Sequence, residues 1–180
     1  ELNRQGACID SYGIGERLIT SKSSPVFGGV YKLVAIEKNG EIVPKIKISE
    51  NEAKITNPHF KKVYRLYGRD TNKALADVIC LHDEDIDDTQ DYEIFDPKCT
   101  WKRKLVYDFY KEELQVPIFK DGKLVYKLPT LEEIRQHCKN EVERQWDEVK
   151  RFDNPHEYYV DLSQKLWDIK HNMLKVENKK

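Results

Sequence analysis

The residues best equipped for chemistry lie near the amino terminus, in Asp10-Ser11-Tyr12-Gly13-Ile14-Gly15-Glu16-Arg17. Two glycines one residue apart let the main chain approach a ligand closely, because no Cβ stands in the way, and they tolerate positive φ. Their amides can point together at an anion. Asp10 and Ser11 end a short apolar run, Ala7-Cys8-Ile9, that reads as a strand. Ligands of α/β proteins gather at the carboxyl ends of strands. Ahead of that run, Glu1 to Gln5 followed by Gly6 reads as the last turn of a helix with a left-handed glycine stop. Helix end, strand, Gly-x-Gly and Glu16-Arg17-Leu18 is the order of an α/β repeat at the end of a barrel or open sheet.

Other clusters are weaker. His82-Asp83-Glu84-Asp85-Ile86-Asp87-Asp88 is acidic, yet it lacks the Gly and closing Glu of a calcium loop. It reads as a solvated loop, and no metal site is expected. Cys80 and His82 form a C-x-H without a second ligand pair at zinc spacing. His59, His137, His156 and His171 have no triad companions and read as surface or packing residues, so no catalytic residue is assigned. Trp101-Lys102-Arg103-Lys104 and Phe60-Lys61-Lys62 interleave aromatics with positive charge, as in modules that grip single-stranded nucleic acid. Neighbouring carboxylates blunt that patch. A non-enzymatic binding or dimerisation module is therefore the alternative function, and nucleic acid is not an expected partner.

The elements that must position these groups follow from periodicity and turn residues. Pro25 ends the loop at Ser21-Lys22-Ser23-Ser24. Residues 30–36 and 42–48 alternate around Lys38-Asn39-Gly40-Glu41, and Asn-Gly between β-branched runs is a strong hairpin signal. Pro44 places that strand at an edge or bulge. A second hairpin pairs 62–67 with 74–81; strands follow at 92–95 and 103–107. A third hairpin joins 116–119 to 124–126 around Asp121-Gly122. Thr130-Leu131-Glu132-Glu133 is a capping box opening a helix on which Leu131, Ile134, Cys138, Val142, Trp146 and Val149 are expected to form one buried stripe. Asn154-Pro155 suggests a second helix with Tyr159, Leu162, Leu166, Ile169 and Met173 on its buried face. The expected fold is α+β. An α/β barrel remnant (1–27) precedes antiparallel β hairpins (28–129) and a two-helix hairpin (130–180).

Bulk properties set limits. The chain has 180 residues, with 31 Lys+Arg against 32 Asp+Glu, so no global charge draws it to nucleic acid or an anionic membrane. No apolar run approaches the length of a membrane span. The four cysteines are widely spaced and read as reduced thiols of a cytoplasmic protein. Met173 is the single methionine, so the chain reads as a fragment or a processed product.

Gly13-Ile14-Gly15 followed by Gly28-Gly29-Val30-Tyr31-Lys32-Leu33-Val34-Ala35 resembles the nicotinate phosphoribosyltransferases. Flanking Ile9 to Tyr12, Leu18 to Ser21, the Lys45 to Ser49 segment and Val63 to Leu66 fit the same pattern. The resemblance covers the whole chain but only the carboxyl-terminal part of the enzyme. It implies transfer of ribose 5-phosphate from phosphoribosyl pyrophosphate to nicotinate in NAD biosynthesis, coupled to ATP and Mg2+, in a homodimer with shared active sites. It also implies that Gly13, Gly15, the amide of Glu16, and Arg17 cradle the phosphate. Some members carry Thr at Glu16, whose carboxylate would repel a phosphate, so here the main chain is expected to serve. Lys32 reads equally as a charge beside the pyrophosphate or as a solvated strand residue, Tyr31 as packing, and Asp10 as a ribose ligand or a structural hydrogen-bonder. The catalytic histidine, nicotinate-binding arginine and Mg2+ carboxylates match no residue here. The chain alone is expected to be inactive and to hold no cofactor.

Overall fold

Positive φ at Asn39 (54°) and Gly40 (81°) closes the first hairpin in the computed structural model, which describes residues 2–26 and 28–177. The hairpin joins β1 (Ala35–Lys38) to β2 (Glu41–Pro44), with Lys38 opposite Glu41 and Ala35 opposite Pro44. Both turn residues lie in the left-handed region, the geometry that matches strand twist. The strands are shorter than the alternation of 30–36 and 42–48 suggests. Val30, Tyr31 and Leu33 are exposed, and the regular ladder ends at the Ala35–Pro44 pair, with one further bond from the Lys45 amide to Val34 O at 2.8 Å. Lys45 to Ser49 is accordingly not a strand.

Ahead of that hairpin the chain is exposed. Gly6 at φ 83° ends the first turn: the amide of Ala7 donates to Leu2 O (3.1 Å) and that of Gly6 to Asn3 O (3.1 Å). This pair of bonds is a Schellman stop, as the glycine predicts. Ala7 to Ile9 is not in a ladder with any described residue, since a strand needs a neighbour and this chain offers none there. The one regular element of this stretch is the single helical turn α1 (Glu16–Ile19).

The core is built on β3 (Lys61–Gly68) and β4 (Ala74–Leu81), paired antiparallel as the second hairpin predicts. Alternation sends Tyr64, Leu66, Ala76, Val78 and Cys80 to one face. That face is closed by Ile86, by Ile94 of β5 (Tyr92–Phe95), by Val106 of β6 (Arg103–Val106) and by Phe109. Phe109 opens β7 (Phe109–Glu113), an edge strand antiparallel to β3 that the sequence reading did not include. A small hairpin of β8 (Phe119–Lys120) and β9 (Lys123–Leu124) turns at Asp121 and Gly122, both at positive φ.

Helix α2 (Leu131–Glu143) starts on the predicted capping box: Thr130 Oγ1 accepts from the Glu133 amide, and Glu133 accepts from the Thr130 amide. It ends at Arg144, short of Val149, and none of its residues is buried. The two-helix hairpin does not form. Asn154 sits at φ 48°, a turn conformation rather than the extended one an N-cap needs. The chain instead lays down β10 (Val160–Leu162) parallel to β4, giving the sheet order β10-β4-β3-β7. The second helix, α3 (Gln164–Glu177), begins after Ser163, whose hydroxyl caps the Leu166 amide at 3.2 Å. Leu162 and Leu166 then pack with Leu81, beside Ile79, Trp167 and Ile169, on the sheet's other face. The architecture is α+β.

Candidate functional site

The glycine turn is an open feature. Gly15 precedes α1 in an extended conformation (φ −106°, ψ −179°), and its carbonyl accepts from Leu18 and Ile19 (3.1 and 3.3 Å). The first amides of a helix have no intrahelical acceptor, which leaves those of Glu16 and Arg17 available. Thr20 Oγ1 turns back to Glu16 O at 2.7 Å and steadies the turn. Neither Gly13 nor Gly15 has positive φ, and a Cβ at either would meet nothing within 4 Å. Neither glycine is therefore required by backbone strain. Gly13, Gly15, Glu16, Arg17 and Lys32 are all exposed. No hydrogen bond or ion pair between described residues joins Lys32 to the turn. Asp10, Ser11 and Tyr31 are exposed as well, so Tyr31 packs on nothing here.

The acidic run 82–88 bonds the chain's own cations and donors, while Asp83, Asp85 and Asp87 stay exposed. Asp85 receives Tyr64 Oη (2.9 Å) and pairs with Lys111; the Lys111 bond holds its carboxyl below the usual range. Asp88 pairs with Arg69, and Glu84 accepts from Ser163 Oγ and the Leu81 amide, each at 2.7 Å. Ile86 sits in the core. Among the described residues, no three His, Cys, Asp or Glu side chains are grouped to hold a metal ion. Burial pushes the Cys80 thiol up to about 11, which makes it a poor nucleophile. His59 stacks on His82, and His171 on Trp167 (3.7 Å between centroids). Arg103 is drawn to Glu93 and the Phe95 ring, and Trp101 is exposed.

The densest polar cluster was not singled out by the sequence reading. Arg65 and Asp77 stand directly opposite on β3 and β4 and form a fork, Nε to Oδ1 at 2.7 Å and Nη2 to Oδ2 at 2.9 Å. Tyr158 Oη donates to Asp77 Oδ1 at 2.9 Å, tying the segment before β10 to the sheet. The Asp77 bond raises the Arg65 pKa, and burial raises that of Tyr158. Next to them Arg144 donates to Glu112 (2.8 and 3.1 Å), Glu141 (3.0 Å) and Tyr110 Oη (2.9 Å), and lies 3.4 Å over the Tyr67 ring. The visible signal was a cationic and an anionic residue at facing positions of an expected hairpin.

The glycine turn, the hairpins and the capped helix all lie within the reach of known relatives. The family model for the nicotinate phosphoribosyltransferase C-terminal domain matches residues 60–170. The chain belongs to that family. The matched span contains the β3–β4 core, β5 to β10, α2 and the first half of α3. A nicotinate phosphoribosyltransferase of Bacillus subtilis (strain 168) is 42% identical over 169 residues, 94% of this chain and 34% of the relative. Its Homo sapiens counterpart is 32% identical over 170 residues, 92% of this chain and 30% of that protein. The crystal structure of human nicotinic acid phosphoribosyltransferase superposes with a TM-score of 0.60 and 25% identity, over 66% of this chain and 24% of that one. This nicotinate phosphoribosyltransferase C-terminal portion thus spans about a third of the length of the relatives it matches.

Proposed function

We propose that the chain serves an enzyme converting nicotinate and phosphoribosyl pyrophosphate, with ATP, to nicotinate mononucleotide and pyrophosphate in NAD biosynthesis. The single observation that supports this is the family match over residues 60–170, extended to the amino-terminal segment by relatives aligned over 94% of the chain. Within that reading, Gly13, Gly15 and the amides of Glu16 and Arg17 hold the 5-phosphate of the donor, and Lys32 adds positive charge nearby. Main-chain dipoles suit this task because their orientation is set before the ligand arrives. Phosphate anchoring leaves the anomeric carbon free while it gains cationic character. The Glu16 carboxylate points away, since it would repel the anion.

On this reading the Mg2+ carboxylates belong to parts of the enzyme that the resemblance does not match to this chain. The resemblance likewise matches no residue here to the catalytic histidine or the nicotinate-binding arginine, so this reading assigns the steps at ATP and the pyridine ring to the rest of the enzyme. A homodimer in the cytoplasm is the expected setting. No described helix is long and apolar enough to cross a membrane. Two measurements test the reading. The 180-residue chain should make no nicotinate mononucleotide; turnover above blank overturns the assigned division of labour. In the full enzyme, Gly15→Val should raise KM for phosphoribosyl pyrophosphate about tenfold or more while KM for nicotinate stays put. An unchanged donor KM removes the glycine turn from the phosphate site.

A further inference from the structure

Helix α2 is amphipathic, but it is mounted the wrong way round for a helix that packs on its own sheet. Its apolar residues Leu131, Ile134, Cys138 and Val142 are exposed, Leu131 by 75%. The residues turned toward the sheet are polar: His137, Asn140, Glu141 and Arg144 recur at helical spacing. They line an open cleft of about 540 Å³ whose far wall is Thr71, Asn72, Lys73, Tyr110 and Glu112. Where most helices bury a greasy stripe against a sheet, this one spans a polar gap.

The attachments all fall at one end. Arg144 bonds Glu112 and Tyr110 on β7 and stacks on Tyr67 of β3, while Glu141 takes Arg65 (3.5 Å) and Tyr67 Oη (3.3 Å). Lys73 Nζ donates to Glu143 O (2.6 Å), the last carbonyl of the helix, and to Gln145 O (3.2 Å) just beyond it. The Ala74 amide donates to Arg144 O at 2.8 Å. Toward the other end, the recorded bonds stay within the helix: Glu132 with Arg135, Gln136 with Asn140, Glu133 with Thr130.

We propose that α2 is an arm fastened at its carboxyl end by a polar pivot centred on Arg144, with its apolar stripe held away from this chain's sheet. Arg144 suits the pivot because a planar fork serves two carboxylates and a phenol while its flat face stacks on Tyr67. Glu112, Glu141, Glu143, Lys73 and Arg65 are the charged groups packed around it, and their pairing at the surface is sensitive to salt.

Amide exchange read by mass spectrometry on the full chain tests this. Arg144→Met should speed exchange across residues 133–143 roughly tenfold, with β3 and β4 amides unchanged within about twofold. Glu112→Gln and high salt should act in the same direction more weakly, and Arg144→Lys should not restore protection, because an ammonium cannot fork and stack at once. The proposal falls if α2 keeps its protection in Arg144→Met. It falls equally if β3 and β4 lose protection as much as α2 does, or if Arg144→Lys behaves as wild type. Wild-type α2 exchanging at the rate of unprotected chain also overturns it.

Discussion

Residues 61–113 and residues 2–34 make opposite use of similar apolar content. In the first stretch Tyr64, Leu66, Val78, Ile94, Val106 and Phe109 meet one another and leave water. In the second, Ile9, Tyr12, Ile14, Leu18, Val30 and Tyr31 meet little and stay in water, Tyr31 fully. Hydrophobicity stabilises a fold only where a partner surface exists, since the gain scales with area removed from water. The four-stranded sheet and the β5–β6 pair supply the two sides of one core. The amino-terminal segment presents one side, together with the glycine turn that carries the proposed chemistry.

The largest contrast is in stability. Phe109→Ala empties a fully buried site and should cost about 3–5 kcal/mol in urea unfolding. Tyr31→Ala should change the midpoint by less than about 0.5 kcal/mol. A large loss from Tyr31→Ala would mean that the amino-terminal segment packs in solution, and the contrast would vanish.

Electrostatics sharpen the same contrast. Asp77→Ala strips a half-buried Arg65 of its fork and Tyr158 of its acceptor, and should cost about 3 kcal/mol. The exposed pair Arg4–Asp147 (3.2 Å) lies at the amino-terminal stretch, and Arg4→Ala should leave the unfolding midpoint where it was. Equal effects from the two would show that exposure does not divide the regions.

What was legible in the sequence tracks the range of the interactions. Asn39-Gly40, Asp121-Gly122, Gly6 and the Thr130–Glu133 box declare themselves within four residues, because φ limits and caps are local. Strand β7 was missed because Lys111, Glu112 and Glu113 disguise an edge whose charges are matched by Asp85 and Arg144 from elsewhere in the chain. β10 is three residues long and its pairing with β4 spans some eighty positions, so a helical periodicity through Leu162 and Leu166 was the stronger local pattern. The stripe on α2 was read with the correct period and the wrong destination, because periodicity reports that a face is apolar and not what covers it. The exposed glycine turn was legible only as a turn with a resemblance; its walls are not among residues this chain folds around it.

A third contrast depends on pH. Asp161 lies on the same sheet face as Val78 and is 3% exposed; burial, and then Asp96, push its carboxyl up to about 6. Its folded-state value exceeds the unfolded one, so its contribution is complete below about pH 4 and is lost as pH rises through 6. Asp161→Asn should therefore gain about 2 kcal/mol at pH 7.5 relative to wild type, and nothing at pH 3.5. Denaturant titrations at the two pH values measure the difference. Equal gains at the two pH values would mean that burial of this carboxyl is not what sets the difference.

The smallest effect separates two kinds of glycine. Gly40 sits at φ 81°, where a side chain is strained, so Gly40→Ala should cost about 1 kcal/mol in the β1–β2 hairpin, read from amide exchange at Ile36 and Val43. Gly13 lies outside the left-handed region with open space around it, so Gly13→Ala should cost the chain nothing measurable and can even gain a few tenths by restricting the unfolded state. A glycine that the fold does not require, standing beside helix-start amides, is what the proposed phosphate turn needs. If Gly13→Ala proves as damaging to the isolated chain as Gly40→Ala, that residue is conformational after all, and the amino-terminal segment owes its glycines to its own folding rather than to a phosphate.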